Sequence, residues 1–172
     1  TTDMPPQLTA ATGMDAISHC VETYCSPKFN PVADAIALDG LERAWRALPA
    51  ALEAPNDIEV RSQMMMAALQ GALAFQKGLG LIHSLSHPLG ALTERRLHHG
   101  TLNAVFLPHV IRFNAAACPD KLAAMCDVVG IKDGFEQLAD AFTALNERIG
   151  MPLTLRDMGV SEQDLEGIAE AA

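Results

Sequence analysis

The chain has 172 residues, enough for one domain that buries roughly two-thirds of its unfolded surface on folding. Its formal net charge is −9, and Lys and Arg form no cluster beyond Arg95 and Arg96, which argues against a nucleic acid as a partner. No apolar run reaches the ~20 residues that cross a bilayer and no signal peptide is recognisable, so we expect no membrane contact and a cytoplasmic location.

Apolar residues recur at helical intervals along most of the chain, and no segment alternates as a strand would. Ala, Leu and Met supply the apolar volume and only 5% of residues are aromatic, a composition that favours helices. The pattern predicts an all-α multihelical bundle with helices over about residues 7–24, 30–48, 57–77, 82–92, 100–114, 120–129, 135–149 and 161–171.

Prolines and capping residues predict where these helices begin and end. We expect Pro49 to lie in the linker after the second helix and Pro108 to kink or shorten the helix over 100–114. Asn56 and Ser161 each precede an acidic residue by three positions, as in a capping box. The third helix is apolar nearly all round, which predicts a central position with Met64, Met65 and Met66 filling the core.

The four cysteines show no C-x-x-C spacing that would indicate a metal or redox motif. They are Cys20, Cys25, Cys118 and Cys126. We expect reduced structural thiols rather than disulfides.

Two pairs of polar residues are spaced four apart, so that each pair shares one face of its helix. Asp15 and His19 form the first pair, and His83 and His87 form the second. Two histidines on one buried face need a chemical reason, because burying a polar group without a partner is costly. Glycines flank both pairs, and together the pairs predict a metal site built from separate helices.

A further histidine would come from His98 or His99, which follow the second pair after a short loop. Three imidazoles and one carboxylate suit Fe(II) or Zn(II), whereas calcium and magnesium prefer more oxygen ligands. The chain has no paired Glu-x-x-His motifs, which disfavours a ferritin-like two-metal site. His109 follows Pro108 away from this cluster, and we expect it to be a core or capping residue.

Much of the chain between residues 8 and 114 resembles the C-terminal helical metal-binding domain of the iron-containing (group III) alcohol dehydrogenases. The resemblance is carried by four stretches: AATGMDAISHCVETYCS, NPVADAIALDGL, GLGLIHSLSHPLGAL and HHGTLNAVFLPHVIRFN. Beyond about Cys118 only the helical character is similar. The implied fold is the dehydroquinate-synthase-like α-domain of a longer α/β plus α enzyme.

The resemblance also implies roles for individual residues. The metal ligands of the family match Asp15, His19, His83 and the histidine directly before the glycine, His99. His87 matches a histidine beside the substrate that does not bind the metal, and it suits a catalytic proton relay. Glu22, one turn beyond His19, and Ser18 could contact the ligands from behind, but we expect a solvated or capping role for both. The loop between His87 and His99 is about two residues longer than usual in the family.

The implied activity is hydride transfer between a small alcohol or aldehyde and NAD or NADP, with Fe(II), or alternatively Zn(II), polarising the substrate oxygen. In the family an N-terminal α/β domain binds the dinucleotide, and the helical domain continues past a point equivalent to residue 172. We therefore expect residues 1–172 to be a partial domain that binds metal without turning over alone. Family members often form homodimers. The alternatives are a zinc-dependent enzyme similar to glycerol dehydrogenase and a non-catalytic helical module with a structural metal.

Overall fold

The computed structural model describes residues 1–92, 97–132 and 134–171, and these residues form helices and connecting loops without a strand. The eight α-helices of this described part are α1 (Pro6–Cys25), α2 (Pro31–Glu53), α3 (Ile58–Ala74), α4 (Leu81–Gly90), α5 (His99–Asn114), α6 (Pro119–Val129), α7 (Phe135–Arg148) and α8 (Glu162–Ala171). Short 3-10 turns cover Phe75–Lys77 and Arg156–Met158. The predicted all-α fold is confirmed.

Local chemistry explains most of the helix starts. α1, α2 and α6 each have proline in their first turn, where the missing N–H costs nothing. Asn30 caps α2 through a hydrogen bond from the N–H of Ala33 at 3.1 Å. At α8 the predicted capping box is present, because the Asp164 carboxylate accepts from the N–H of Ser161 at 2.8 Å. At α3 the cap is Asp57, one residue after the expected Asn56.

Prolines end fewer helices than predicted. α2 continues through Pro49 to Glu53, and α5 runs its full expected length through Pro108. Both prolines are buried, and the residues beside Pro49 (Leu48 and Ala51) are completely buried. The prediction of a linker at Pro49 was therefore wrong, because the packing of this face outweighs the lost hydrogen bond.

α1 lies at the centre of the bundle, packed between α2, α3 and α5. It contributes a continuous row of buried apolar residues: Ala10, Met14, Ile17, Cys20 and Val21. The prediction that α3 is central was wrong. Its buried residues are Arg61 and the small residues Ala67, Gly71 and Ala74, while the larger apolar side chains Met65, Met66, Leu69 and Leu73 are about half exposed. Only Met64 of the methionine triplet packs partly against the core.

The four cysteines carry free thiols. Among the described residues, no helix has the length and apolar character needed to cross a membrane.

Candidate metal centre

The predicted ligands come from three helices that meet at the middle of α1. Asp15 and His19 lie on α1, His83 lies on α4, and His99 is the first residue of α5. One ligand atom from each of Asp15, His19 and His83 falls within 4.8 Å of the others. The Asp15 Oδ1 atom lies 3.9, 3.6 and 3.5 Å from Nε2 of His19, His83 and His99, respectively. The carboxylate is thus the common neighbour of three imidazoles.

The histidine rings pack against one another around this carboxylate. The rings of His19 and His83 are nearly parallel, with centroids 4.7 Å apart, and the ring of His99 lies 5.1 Å from that of His83. His87 is exposed, 5.7 Å from His83 and 5.1 Å from His99 between ring centroids. Three imidazole nitrogens therefore lie within 3.9 Å of one point, the Asp15 Oδ1 atom, and His87 lies beside them toward solvent.

His98 is not near this point. It is the exposed N-cap residue of α5, whereas His99 turns its ring toward Ser86, whose Oγ lies 3.3 Å from the His99 Nδ1 atom. The geometry thus favours His99 over His98 as the neighbour of Asp15. The longer loop before His98 includes residues 93–96, which lie outside the described part of the chain.

Glycine at two positions allows the helices to come this close. A Cβ atom on Gly100 would lie 2.1 Å from the carbonyl oxygen of Ala11 and 3.3 Å from the Asp15 Cβ atom. A Cβ atom on Gly71 of α3 would lie 3.0 Å from the Cβ atom of His19. A side chain at either position would push its helix away from α1 and from the Asp15–His19 pair.

Glu22 belongs to the centre, and its expected solvated or capping role was wrong. Its side chain is buried, with Oε2 2.5 Å from Nδ1 of His83 and Oε1 accepting from the N–H of Ile82 at 2.5 Å. Its position could have been inferred, because Asp15, His19 and Glu22 are spaced four and then three residues apart on one helical face. Ser18 is also buried, but it donates to the carbonyl oxygen of Met14 within α1.

Asn103 is a site residue that the sequence reasoning missed. Its side chain is completely buried, and its Nδ2 atom donates to Oδ1 of Asp15 at 2.7 Å. The same nitrogen lies 3.1 Å from Nε2 of His83 and 3.0 Å from Nε2 of His99. The Oδ1 atom of Asn103 is buried and has no hydrogen-bond partner among the residues that the structure describes. Its signal was the four-residue spacing after His99, which puts both residues on one face of α5.

The cluster shifts the pKa values of its members in opposite directions. Burial disfavours ionised Asp15, but hydrogen bonding to His83 and the nearby charges of His19 and His99 outweigh it, so the Asp15 pKa is lowered. Burial also opposes protonation of His83, but hydrogen bonds to Asp15 and Glu22 raise its pKa to about 9. Burial lowers the pKa values of His19 and His99. An ionised carboxylate thus lies among imidazoles, two of which favour the neutral form.

This donor set fits a divalent transition metal ion. Three imidazole nitrogens and one carboxylate oxygen lie close together, as such an ion requires. Glu22 orients His83 by contacting Nδ1, the ring nitrogen that faces away from Asp15. The buried Asn103 Oδ1 atom indicates that the polar groups of the described residues do not use all of their hydrogen-bonding capacity on one another. His109, expected in the core or at a cap, is exposed on α5 and takes no part. Pro108 before it and Val110 after it occupy the buried face instead.

The chain is similar to known proteins along almost its whole length. Residues 9–172 match the model of the Fe-containing alcohol dehydrogenase family, C-terminal region. A 4-hydroxybutyrate dehydrogenase of Cupriavidus necator is 49% identical over all of this chain and 47% of its own length. The crystal structure of a 1,3-propanediol oxidoreductase superposes with a TM-score of 0.94 at 39% identity, over 99% of this chain and 46% of that one.

A sulfoacetaldehyde reductase from Bifidobacterium kashiwanohense, solved in complex with NAD⁺, superposes with a TM-score of 0.90 at 28% identity, over 99% of this chain and 45% of that one. The chain spans about half the length of the proteins it matches. The family match covers all five predicted site residues and continues to the last residue of the chain. The chain therefore belongs to the Fe-containing alcohol dehydrogenase family and corresponds to its C-terminal region.

Proposed function

We propose that this chain forms the metal- and substrate-binding part of an NAD(P)-linked alcohol dehydrogenase that interconverts a primary alcohol and its aldehyde. The observation that carries the proposal is the convergence of Asp15, His19, His83 and His99, with His87 on the solvent side. A structural site would be expected to be closed, and often to contain cysteine. This donor set has no thiolate, and its His99 and Asp15 side chains are 35% and 28% exposed.

The four residues would hold Fe(II), with Zn(II) as the alternative. Nitrogen-rich sites bind both ions, and the order of affinities does not favour iron, so the metal present depends on supply. When bound, the ion acts as a Lewis acid that stabilises negative charge on the substrate oxygen.

Glu22 orients the ligand set. Its carboxylate accepts the proton on Nδ1 of His83, so Nε2, which faces Asp15, is the nitrogen that would lose its proton to bind a metal ion. Because Glu22 is also held by the backbone N–H of Ile82, it connects α1 to the start of α4. The side chain thus selects one tautomer of His83 and limits its rotation.

His87 carries a proton between the substrate hydroxyl and solvent. Its ring stacks on that of His99 with centroids 5.1 Å apart, yet the residue remains exposed. Imidazole is the side chain best suited to gain and lose a proton near neutral pH. We therefore assign His87 a catalytic role and the four ligands a binding role.

The hydride acceptor would be NAD or NADP, bound mainly by protein outside this chain. A neighbour solved with NAD⁺ supports the nicotinamide chemistry, and the relative named for 4-hydroxybutyrate supports a short primary alcohol as substrate. Both supports come from similar proteins that are about twice as long as this chain.

The proposal is tested by measuring metal content and activity together. The protein is prepared metal-free, with Fe(II) or with Zn(II), both as residues 1–172 and with whatever sequence flanks it in the native protein. Reduction of NAD⁺ and NADP⁺ is followed with 4-hydroxybutyrate, 1,3-propanediol and ethanol. We expect one bound ion per chain, metal-dependent activity in the flanked form, and little activity from residues 1–172 alone.

His87→Ala separates catalysis from binding in the same experiment. We expect it to retain metal while activity falls by at least ~100-fold, the usual range for a lost acid–base group. His98→Ala, at an exposed position outside the cluster, is the matched control and should keep both. A protein that binds metal but reduces neither dinucleotide, and that unfolds when the metal is removed, would instead be a structural metal module.

A further inference from the structure

Two cysteines from distant parts of the chain lie next to each other at the end of α1. Cys25 is the last residue of α1 and Cys118 is the N-cap residue of α6, 93 positions later. Their Sγ atoms are 3.7 Å apart, with the Cys118 thiol directed at the Cys25 sulfur. A disulfide bond is ~2.05 Å long, so the sulfurs need to approach by less than 2 Å.

A lysine on α6 keeps the two cysteines close together. The Lys121 Nζ atom donates to the carbonyl oxygens of Tyr24 and Ser26, at 2.6 and 2.7 Å, on either side of Cys25. The same ammonium group lies 5.4 Å from the centroid of the Tyr24 ring. Because Lys121 follows Cys118 by three residues, the lysine fixes the end of α1 against the start of α6 at the level of the two sulfurs.

A cavity of about 300 Å³ gives small molecules access to the pair. Both cysteines line it, together with Glu22, Gly80 and Asn114. Both cysteines are only partly buried, unlike Cys20 and Cys126. The cavity is large enough for water-sized molecules, which include hydrogen peroxide.

We propose that Cys25 and Cys118 are an oxidation site that a hydroperoxide converts into an intramolecular disulfide. The thiolate of one cysteine attacks one oxygen of the peroxide, so that an S–O bond forms while the O–O bond breaks. The attacked oxygen stays on sulfur as a sulfenic acid, and the other oxygen takes up the proton released by the thiol and leaves as water. The sulfur of the second cysteine then displaces the sulfenic hydroxyl group, and a second water forms. Two thiols and one hydrogen peroxide thus give one disulfide and two waters, and the two sulfurs together lose two electrons.

The surroundings of the pair make this reaction slow but its product persistent. Burial, and then the neighbouring Cys118, raise the pKa of the Cys25 thiol, so little thiolate is present at neutral pH. A disulfide is easy to reduce when its surroundings stabilise the thiolates that reduction releases. The surroundings of Cys25 disfavour its thiolate, so we expect the disulfide, once formed, to persist. We therefore expect oxidation by millimolar peroxide over minutes to hours rather than at trace concentrations.

The test maps the bond directly. The protein is loaded with Zn(II), which has no redox chemistry of its own, treated with hydrogen peroxide, alkylated with N-ethylmaleimide and digested without reductant. We expect a linked peptide pair containing Cys25 and Cys118, lighter by two hydrogens than the separate peptides and separated again by dithiothreitol. Closing so long a loop should also raise the Tm by on the order of 10 °C.

Variants provide the controls. Cys25→Ser and Cys118→Ser should each abolish the linked peptides and the Tm shift, while Cys126→Ala, at a buried cysteine that does not line the cavity, should retain both. Alkylation of both Cys25 and Cys118 after peroxide treatment of the folded wild type would overturn the proposal. So would pairing of either with Cys20 or Cys126. Should a serine variant fail to fold, the wild-type peptide map alone decides.

Discussion

Glu22 and His83 form a hydrogen-bonded pair that is almost completely removed from solvent. The Oε2 atom of Glu22 lies 2.5 Å from Nδ1 of His83, and each side chain is 2% exposed. The second carboxylate oxygen accepts from the backbone N–H of Ile82 at 2.5 Å. Both Glu22 oxygens are therefore used, and the imidazole is held from the side opposite Asp15.

Glu22→Gln should weaken metal binding without unfolding the protein. The two carboxylate oxygens of Glu22 serve the Ile82 N–H and the His83 Nδ1–H separately, whereas the amide of glutamine has only one oxygen. The His83 ring therefore loses the partner that fixes its tautomer. Loss of such an outer partner typically costs ~10–100-fold in metal affinity. Titration calorimetry with Zn(II) measures the change, and Glu42→Gln, at a carboxylate paired with Arg46 on the surface, is the matched control. Equal affinity in the two variants would contradict a role for Glu22.

His99→Ala and His98→Ala should have different effects on metal affinity. The His99 Nε2 atom lies 3.5 Å from Oδ1 of Asp15, while His98 is exposed at the helix cap. We expect His99→Ala to lower the metal affinity by more than the ~100-fold that is lost when a partner behind a ligand is removed. Metal content after dialysis distinguishes the two variants. If His98→Ala loses metal and His99→Ala keeps it, His99 is not the ligand.

Gly100→Ala should destabilise the protein, whereas Gly90→Ala should not. The new Cβ atom at Gly100 would meet the Ala11 carbonyl oxygen at 2.1 Å, and because that atom is backbone, α5 must move away from α1. Such overpacking costs on the order of 3 kcal/mol. Gly90, at the end of α4, has no atom of the described residues within 4 Å of its Cβ position, so alanine there should be neutral or stabilising by up to ~1 kcal/mol. Urea unfolding measures both, and equal midpoints would refute the close approach.

Removing either member of the Lys77–Asp34 ion pair should give unequal losses of stability. Lys77 is 2% exposed and contacts Asp34, whose side chain is 28% exposed. Asp34→Ala leaves a buried ammonium group without its counter-charge and should cost about 3 kcal/mol. Lys77→Met leaves only a hydrated carboxylate and should cost on the order of 1 kcal/mol. The free energies of unfolding in urea provide the comparison, and a reversed order would show that Asp34 is the more strongly desolvated partner.

Regular periodicity made the fold readable from the sequence. The eight predicted helices are present, since each has apolar residues at helical spacing between recognisable breakers. Pro49 and α3 were the exceptions. Whether a helix continues through a buried proline such as Pro49 depends on neighbours that are far away in sequence. The same is true of which side of α3 faces the core, since its small residues Ala67, Gly71 and Ala74 are buried there.

Part of the candidate site could be predicted from the sequence for a similar reason. Asp15–His19 and His83–His87 are local pairs, and a resemblance of motifs connected them. Glu22 and Asn103 also lie on the same helical faces, but whether a polar residue points to the site or to water is decided by the helix packed against it. Only the packing of α4 on α1, and of α5 on both, revealed their partners.

The amide of Asn103 donates to Asp15 at 2.7 Å and lies 3.0–3.1 Å from the nitrogens of His99 and His83 that face the same point. One neutral side chain thus lies against three of the proposed ligands, although it is not itself one of them. We therefore expect any replacement of Asn103 to change the surroundings of Asp15, His83 and His99 together.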